Sequence, residues 1–297
     1  MYAGNFLRPT RRTMASAKPT SPPCIDAHHH LWRYDAAQYP WISEAMAELR
    51  RDFLLSELSA VTRAAGVAGT VAVQARQSFE ETEWLSSLAS RSDLILGVVG
   101  WAPLIDPGAE AYLEKAAALP KVKGIRHVLQ DEPDDFYALR EDFNRGAGLL
   151  RKFGLRYDLL VFARRLPQII RFVDRHPRQI FILDHIAKPG IRERIVSPWR
   201  EHLAELAKRE NVYCKLSGMI TEAHWHAWSA EHLRIYFDVV LEAFGPRRLM
   251  FGSDWPVLTV AGSYVRWLET VRSAISGLSF AEQARILGET AVEAYGL

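Results

Sequence analysis

Eight short apolar runs recur along the chain, each followed by a polar or Gly/Pro-marked loop and then by an amphipathic helical stretch. This alternation limits the fold more than any other feature. The runs are CIDAHHH (24–30), GTVAVQ (69–74), LILGVVGWA (94–102), VKGIRHV (122–128), LRYDLLV (155–161), QIFILDHI (179–186), NVYCKLSG (211–218) and RLMFGSDWP (248–256). Continuous apolar runs rich in Val and Ile suit strands buried on both faces, as in a parallel sheet. Between them, FEETEWLSSLASR, EDFNRGAGLLRKF, LPQIIRFVDRH, WREHLAELAKRE and HLRIYFDVVLEAF space their apolar residues three and four apart and end near Gly, Pro or Asn. Ser279, with Glu282 three residues on, has the pattern of a capping box opening a last helix. Strands and helices alternating at a mean spacing of roughly thirty residues predict an α/β fold, a single (β/α)8 barrel of the TIM type. An open doubly wound sheet would carry a Gly-rich phosphate turn after its first strand, where this chain has HHHLWR.

The 297 residues match the usual size of such a barrel, and no Pro-rich linker divides them, so one domain is expected over 21–297. Residues 1–20, MYAGNFLRPTRRTMASAKPT, are basic, lack acidic groups and are rich in Ser, Thr, Ala and Pro. They are read as a disordered N-terminal tail, with Met14 as an alternative start. An organelle transit peptide is compatible with this composition, whereas a secretory signal is not, because no continuous apolar stretch follows the arginines. A net charge of +2 and the lack of a basic run interleaved with aromatics beyond that tail argue against a nucleic-acid partner. No apolar stretch reaches the ~18 residues of a membrane span. Cys24 and Cys214 are far apart and offer neither a disulfide framework nor a zinc-knuckle spacing. A reduced, cytoplasmic protein is the expectation.

In a barrel, functional groups gather at the C-terminal ends of the strands, where the βα loops meet. The polar residues of this chain fall there repeatedly. Strand 1 ends in Asp26-Ala27-His28-His29-His30, strand 2 at Gln74, and strand 4 in Arg126-His127. Strand 5 contains Asp158, strand 6 ends in Asp184-His185, and strand 8 ends in Ser253-Asp254-Trp255. The two-residue period places Asp26, His28 and His30 on one face and His29 on the other, as a structural residue. The same rule turns Asp184 away from His185, to cap a helix or pair with a surface base. A lone histidine near a strand end is ordinarily a satisfied core or surface group. Three imidazoles and a carboxylate at one rim instead form a metal site or an acid/base cluster.

The stretches IDAHHHLW, LDHIAKP and RLMFGSDWP resemble the amidohydrolase superfamily, and more narrowly its lactonase branch, which holds 2-pyrone-4,6-dicarboxylate lactonase and the sugar lactonases. YPWI (39–42), VAVQAR (71–76), GIRHVLQDEPD (124–134), YDLLVF (157–162) and CKLSGMITEAHW (214–225) are similar to the L-fuconolactonases of that branch. The resemblance spans about residues 24–297. It implies that His28, His30 and His185 polarise the substrate or bind metal, and that Asp254 is the general base that activates water. Metal-dependent members place a histidine at the end of strand 5, where this chain has Asp158. The resemblance therefore implies hydrolysis with no required cofactor, while leaving zinc at partial occupancy on His28, His30 and Asp254, with His185 as a further ligand.

The substrate expected from the resemblance is a small-molecule sugar lactone, opened to its sugar acid. Lactone hydrolysis needs less Lewis-acid help than amide hydrolysis, and imidazoles or Arg126 would donate to the developing oxyanion. Trp32, Trp101 and Trp255 fall at or just beyond strand ends and are candidates to line a sugar pocket, although most tryptophans are core anchors. Trp225 and Trp228 are weaker candidates. Gln74, Arg76, His127 and Asp158 are further candidate contacts. An inward Lys215 would need a substrate or an acid beside it, and an outward, snorkelling one would not. The scarcity of strand-end arginines favours a neutral sugar lactone over an aromatic dicarboxylate. The competing readings are a metal-dependent decarboxylase of the same superfamily and a non-catalytic barrel.

Overall fold

The computed structural model describes residue 1 and residues 22–297, so the expectations for the N-terminal tail lie outside the described residues. Eight parallel strands lie side by side in chain order. They are β1 (Cys24–His29), β2 (Val67–Val73), β3 (Ile95–Gly100), β4 (Val122–His127), β5 (Arg156–Leu159), β6 (Phe181–Leu183), β7 (Val212–Leu216) and β8 (Leu249–Phe251). Each falls within or beside one of the eight apolar runs. All but β2 are shorter than their runs, and at β1, β6 and β8 the polar C-terminal residues leave the ladder to form the rim.

Helices α1 (Leu55–Ala65), α2 (Phe79–Ala89), α3 (Ala109–Ala118), α4 (Glu141–Leu149), α5 (Leu166–Arg175), α6 (Trp199–Ala207), α7 (Ala230–Phe244) and α8 (Tyr264–Ala274) follow the strands in turn. Local chemistry sets their ends. Ser78 caps α2 by accepting from the Glu81 amide, and Gly66, in the left-handed region at φ 68°, closes α1. The capping box at Ser279 and Glu282 is present and opens α9 (Phe280–Ala284). A last helix, α10 (Thr290–Tyr295), does not join the outer ring.

Instead α10 plugs the barrel floor. Ala291, Ala294 and Tyr295 pack with Ala27, Val71, Val73, Val99, Ile182 and Met250, the inward-facing residues of the strands. Lys123 Nζ, 2.7 Å from the Gly296 carbonyl, and Arg156 Nε, 2.7 Å from that of Ala294, tie the end of α10 to β4 and β5. The floor is thus apolar and sealed, which leaves the opposite end for polar groups.

Closure between β8 and β1 uses residues just past the end of β8. The Asp254 amide donates to the His28 carbonyl at 2.7 Å, and the His30 amide to the Trp255 carbonyl at 2.6 Å. Near this seam the pairing of β1 with β2 slips between Asp26 and His29, one extra residue on β1. The slip corrects the expectation that Asp26 shares a face with His28 and His30. An extra residue inverts side-chain parity, so Asp26 points outward to α8 while both histidines point in. Asp26 accepts hydrogen bonds from the His28 amide (3.0 Å), the Ser253 amide (2.8 Å), Ser253 Oγ (2.6 Å) and Tyr264 Oη (2.7 Å).

Because all four donors converge on one buried carboxylate, Asp26→Ala leaves several of them unpaired at about 1–3 kcal/mol each. The variant is expected to lose about 3 kcal/mol or more in urea unfolding. A loss under about 1 kcal/mol would show that the clamp does not hold the seam.

Candidate active site

The seam places Asp254 beside the two histidines of β1. Asp254 Oδ1 lies 3.3 Å from His30 Nε2, 3.7 Å from His28 Nε2 and 3.9 Å from His185 Nε2. The four residues come from the ends of β1, β6 and β8 and are almost wholly buried. His30 is oriented by the Val73 carbonyl, 2.8 Å from Nδ1, and His185 by Ser217 Oγ, 2.8 Å from its Nδ1. His29, as expected, faces the other way and pairs with Thr70 Oγ1 at 3.0 Å.

Backbone geometry at the rim is unusual. Asp254 has φ 61°, and His185, Ile186, Ala187 and Lys188 are consecutively left-handed, with φ between 46° and 63°. Such conformations are uncommon for residues other than glycine, least of all for a β-branched one, and cluster at functional sites. The left-handed turn at His185 also corrects the reading of Asp184. Asp184 continues the inward parity of Ile182, and the turn then brings His185 to the same mouth. Asp184 is neither a helix cap nor a surface partner.

Beneath the imidazoles lies a buried charged layer. Lys215 points inward, with Nζ 2.5 Å from Asp158 Oδ2 and 2.9 Å from Asp184 Oδ1. Arg126 Nη1 donates to Asp184 Oδ2 at 2.9 Å, and Gln74 Oε1 accepts from Arg126 Nη2 at 3.0 Å. Tyr295 Oη donates to Asp158 Oδ2 at 2.6 Å, which joins the layer to the floor helix. Two cations and two carboxylates balance, the condition under which charges survive burial.

The electrostatics follow from burial and these neighbours. Burial would raise the Asp254 carboxyl, but His185, His30 and His28 outweigh it and hold it below the usual carboxylate range. Burial pushes His185 down to about 4 and depresses His28 as well. Burial would also raise Asp184, yet Lys215, His28 and Arg126 keep it well below its ordinary value. The Asp158 carboxyl is raised to about 6, burial exceeding the pull of Lys215.

The remaining sequence candidates are placed as follows. Trp32 is fully buried among Tyr39, Trp41 and Phe53, donates to the Arg51 carbonyl at 2.8 Å, and supports the rim from behind His30. Trp255 packs edge-on against Phe53. His127 faces away from Arg126, stacked on Tyr137 and 2.6 Å from Glu132. Trp101 is half-buried, with an indole nitrogen that has no partner. Arg76 pairs with Gln38 and approaches Glu81. Trp228 is buried under Arg266, whereas Trp225 helps line a cavity of about 460 Å³ with Ala45, Arg192, His224, His226 and Ala227. Those residues belong to loops after β1, β6 and β7, so the cavity opens at the end of the barrel that holds the cluster. Sequence reasoning missed Asp184, Ser217 and Tyr295 as parts of the site. The parity of Ile180, Ile182 and Asp184 was the available signal for the first.

A metal fits the upper corner. The ligand atoms of His28, His30 and Asp254 lie within 4.8 Å of one another. The two Nε2 atoms are 3.2 Å apart, close to the ~3.3 Å that two nitrogens bound tetrahedrally to zinc would show. Asp158 cannot join this set, because Lys215 and Tyr295 hold it below the imidazoles.

Comparison with known proteins agrees with this geometry. The amidohydrolase family model matches residues 25–297. The chain is 42% identical over 285 residues to an L-fucono-1,5-lactonase of Burkholderia multivorans, covering 92% of this chain and 96% of that protein. It is 35% identical to an L-fucono-1,5-lactonase of Burkholderia ambifaria, covering 91% and 94%. A crystal structure of a Burkholderia multivorans amidohydrolase with bound zinc superposes with a TM-score of 0.89 at 41% identity, covering 93% of this chain and 99% of that one. With its barrel, its rim histidines and aspartate, and these relatives, the chain belongs to the amidohydrolase family.

Proposed function

We propose that the chain hydrolyses a sugar lactone, L-fuconolactone or a closely related aldonolactone, to the open sugar acid. The observation that carries this reading is the ionised Asp254 carboxylate set within 3.3–3.9 Å of three imidazole nitrogens at the barrel mouth. Its names-in-kind are the two L-fucono-1,5-lactonases that the chain resembles along almost its whole length.

In this mechanism Asp254 removes a proton from water as the oxygen attacks the lactone carbonyl. His28 and His185 donate to the developing oxyanion, while His30 holds the corner. Arg126 contributes less directly, since Asp184 and Gln74 occupy its Nη groups. Collapse of the tetrahedral intermediate breaks the ring C–O bond. The protonated Asp254 then returns its proton to the departing ring oxygen, giving a hydroxy acid and regenerating the carboxylate. When a zinc ion is bound, His28, His30 and Asp254 would hold it, and it would add Lewis-acid polarisation of the carbonyl. A lactone does not depend on that help, and strand 5 provides no imidazole to complete a tighter site.

Asp254→Asn keeps the side-chain shape and removes the base. With lactone as substrate, kcat is expected to fall by roughly two to four orders of magnitude with KM nearly unchanged. A folded variant with near-native kcat would move water activation to another group.

Chelation is expected to leave most lactonase activity in place. Loss of turnover with chelator and its recovery with zinc would overturn the metal-independent route and make His28, His30 and Asp254 ligands of a required metal rather than acid/base donors.

A group with a depressed pKa keeps its charge as pH falls until the lowered value is reached, so Asp254 stays ionised well into acid. His185, pushed down to about 4, stays neutral over the same range. The kcat/KM profile should therefore be flat from neutrality to about pH 5 and fall below it. An acid limb near the ordinary histidine value would contradict the assignment.

A further inference from the structure

Outside the imidazole cluster and the charged layer beneath it, the mouth carries a further ion pair. Lys188 closes the left-handed stretch that begins at His185, with φ 46° and its amide donating to the His185 carbonyl at 2.8 Å. Its Nζ lies 3.6 Å from Glu222 Oε1 and 5.7 Å from the centre of the Phe162 ring. The ammonium thus sits over the end of β6, between the loops that follow β5 and β7. Glu222 stands four residues past Gly218, where a Cβ would lie 2.6 Å from the His185 ring. Burial dominates the shifts of His185 and Glu222, and beneath it Lys188 lowers His185 further while Asp254 raises Glu222. Both charges therefore act on the same space as the cluster.

A latch between loops is the plain role for such a pair, and the geometry disfavours it. The β6 and β7 loops are already joined through the main chain, where the Arg192 amide donates to the Glu222 carbonyl at 3.0 Å. At 3.6 Å the two charges are too far apart for a hydrogen bond, and with side chains 17% and 25% exposed their contact adds little to stability. A left-handed backbone at a lysine is a cost that so weak a contact does not offset, and such costs collect where function requires them. Among the described residues, neither charged group hydrogen-bonds to anything else. The pair is therefore a donor with three hydrogens beside an acceptor with two oxygens, partly open and neutral as a unit.

We propose that Lys188 and Glu222 bind adjacent hydroxyl groups of a neutral sugar ring and so select hydroxylated substrates. Glu222 accepts from two neighbouring hydroxyls, and Lys188 donates to the oxygen of one of them. That the ring is a lactone rests on the hydrolytic reading above, whereas the grip on its hydroxyls does not. The closeness of the opposite charges sets the substrate class. A ring carrying a carboxylate would meet repulsion from Glu222 wherever it met Lys188, whereas hydroxyls satisfy both groups. The cavity of about 460 Å³ lined by Arg192 and Trp225 opens on the same two loops and gives a ring access from outside.

Binding of L-fucose, a neutral ring with adjacent hydroxyls and no lactone carbonyl, tests the pair apart from catalysis and can be followed by ligand-observed NMR titration. Glu222→Gln and Lys188→Met are each expected to raise the Kd about tenfold, the scale of a lost hydrogen bond to a charged group. With lactones, the preference in kcat/KM for L-fuconolactone over δ-valerolactone, which has the ring and no hydroxyls, should fall by about the same factor. Wild-type protein should also bind L-fucose more tightly than L-galacturonate, which carries a carboxylate in place of the methyl group. The reverse order overturns the proposal without any variant, and so does wild-type protein that does not bind L-fucose. Folded variants with an unchanged Kd and a lowered unfolding midpoint would make the pair a loop latch and overturn it too. L-fucose binding that weakens in both variants of a protein with no lactonase activity would refute the function and leave this inference standing.

Discussion

The hydrogen bonds that close the barrel between β8 and β1 also build the corner that holds Asp254 and the rim imidazoles. A cylinder of eight strands must be joined at one edge, and here the join falls on Asp254, Trp255, His28 and His30 rather than on the body of β8. Asp254 and two imidazoles are thereby fixed by main-chain geometry, not by flexible side chains reaching across a gap. Asp26 secures the join from outside by accepting from the main chain of both strands and from Ser253 and Tyr264. Its buried carboxylate serves the site without touching it. This satisfies the demand that a reacting constellation be held by groups locked in their own places.

Below the corner, the barrel interior divides into a charged layer and an apolar one. The charged layer is affordable only because Lys215 and Arg126 each meet a carboxylate and the sum is zero. Its lower edge is the hydroxyl of Tyr295, carried up into the barrel by α10. The apolar packing of Ala291 and Ala294 that seals the floor is therefore also what brings a hydrogen-bond donor to Asp158. Water is kept from the layer on that side, which strengthens each interaction above it.

Much of this was legible in the sequence. Alternating Val- and Ile-rich runs and amphipathic segments specified the barrel, and the rule that function gathers at strand C-termini selected His28, His30, His185 and Asp254 as one group. The errors share a physical origin. Side-chain parity is a property of regular strands, and the rim is where regularity ends. One extra residue in β1 turned Asp26 outward, and a left-handed residue after β6 let Asp184 and His185 face the same space. Lys215 was ambiguous for a different reason. Its partners, Asp158 and Asp184, lie on two other strands, and no local pattern carries information about a meeting inside the barrel.

The strain at the rim fits the same picture. Residues 185–188 and Asp254 occupy left-handed backbone conformations at about 1–3 kcal/mol each, and such a cost persists only where the surroundings leave no alternative. Gly218, itself at φ 65°, is what leaves room for this turn, since a Cβ there would lie 2.6 Å from the His185 ring. Ser217, immediately before it, supplies the hydroxyl that orients that ring. The end of β7 thus provides both the space and the hydrogen bond for a histidine carried by β6. A relaxed β6 terminus would send His185 to the far face of the sheet and leave Asp254 with two imidazoles instead of three.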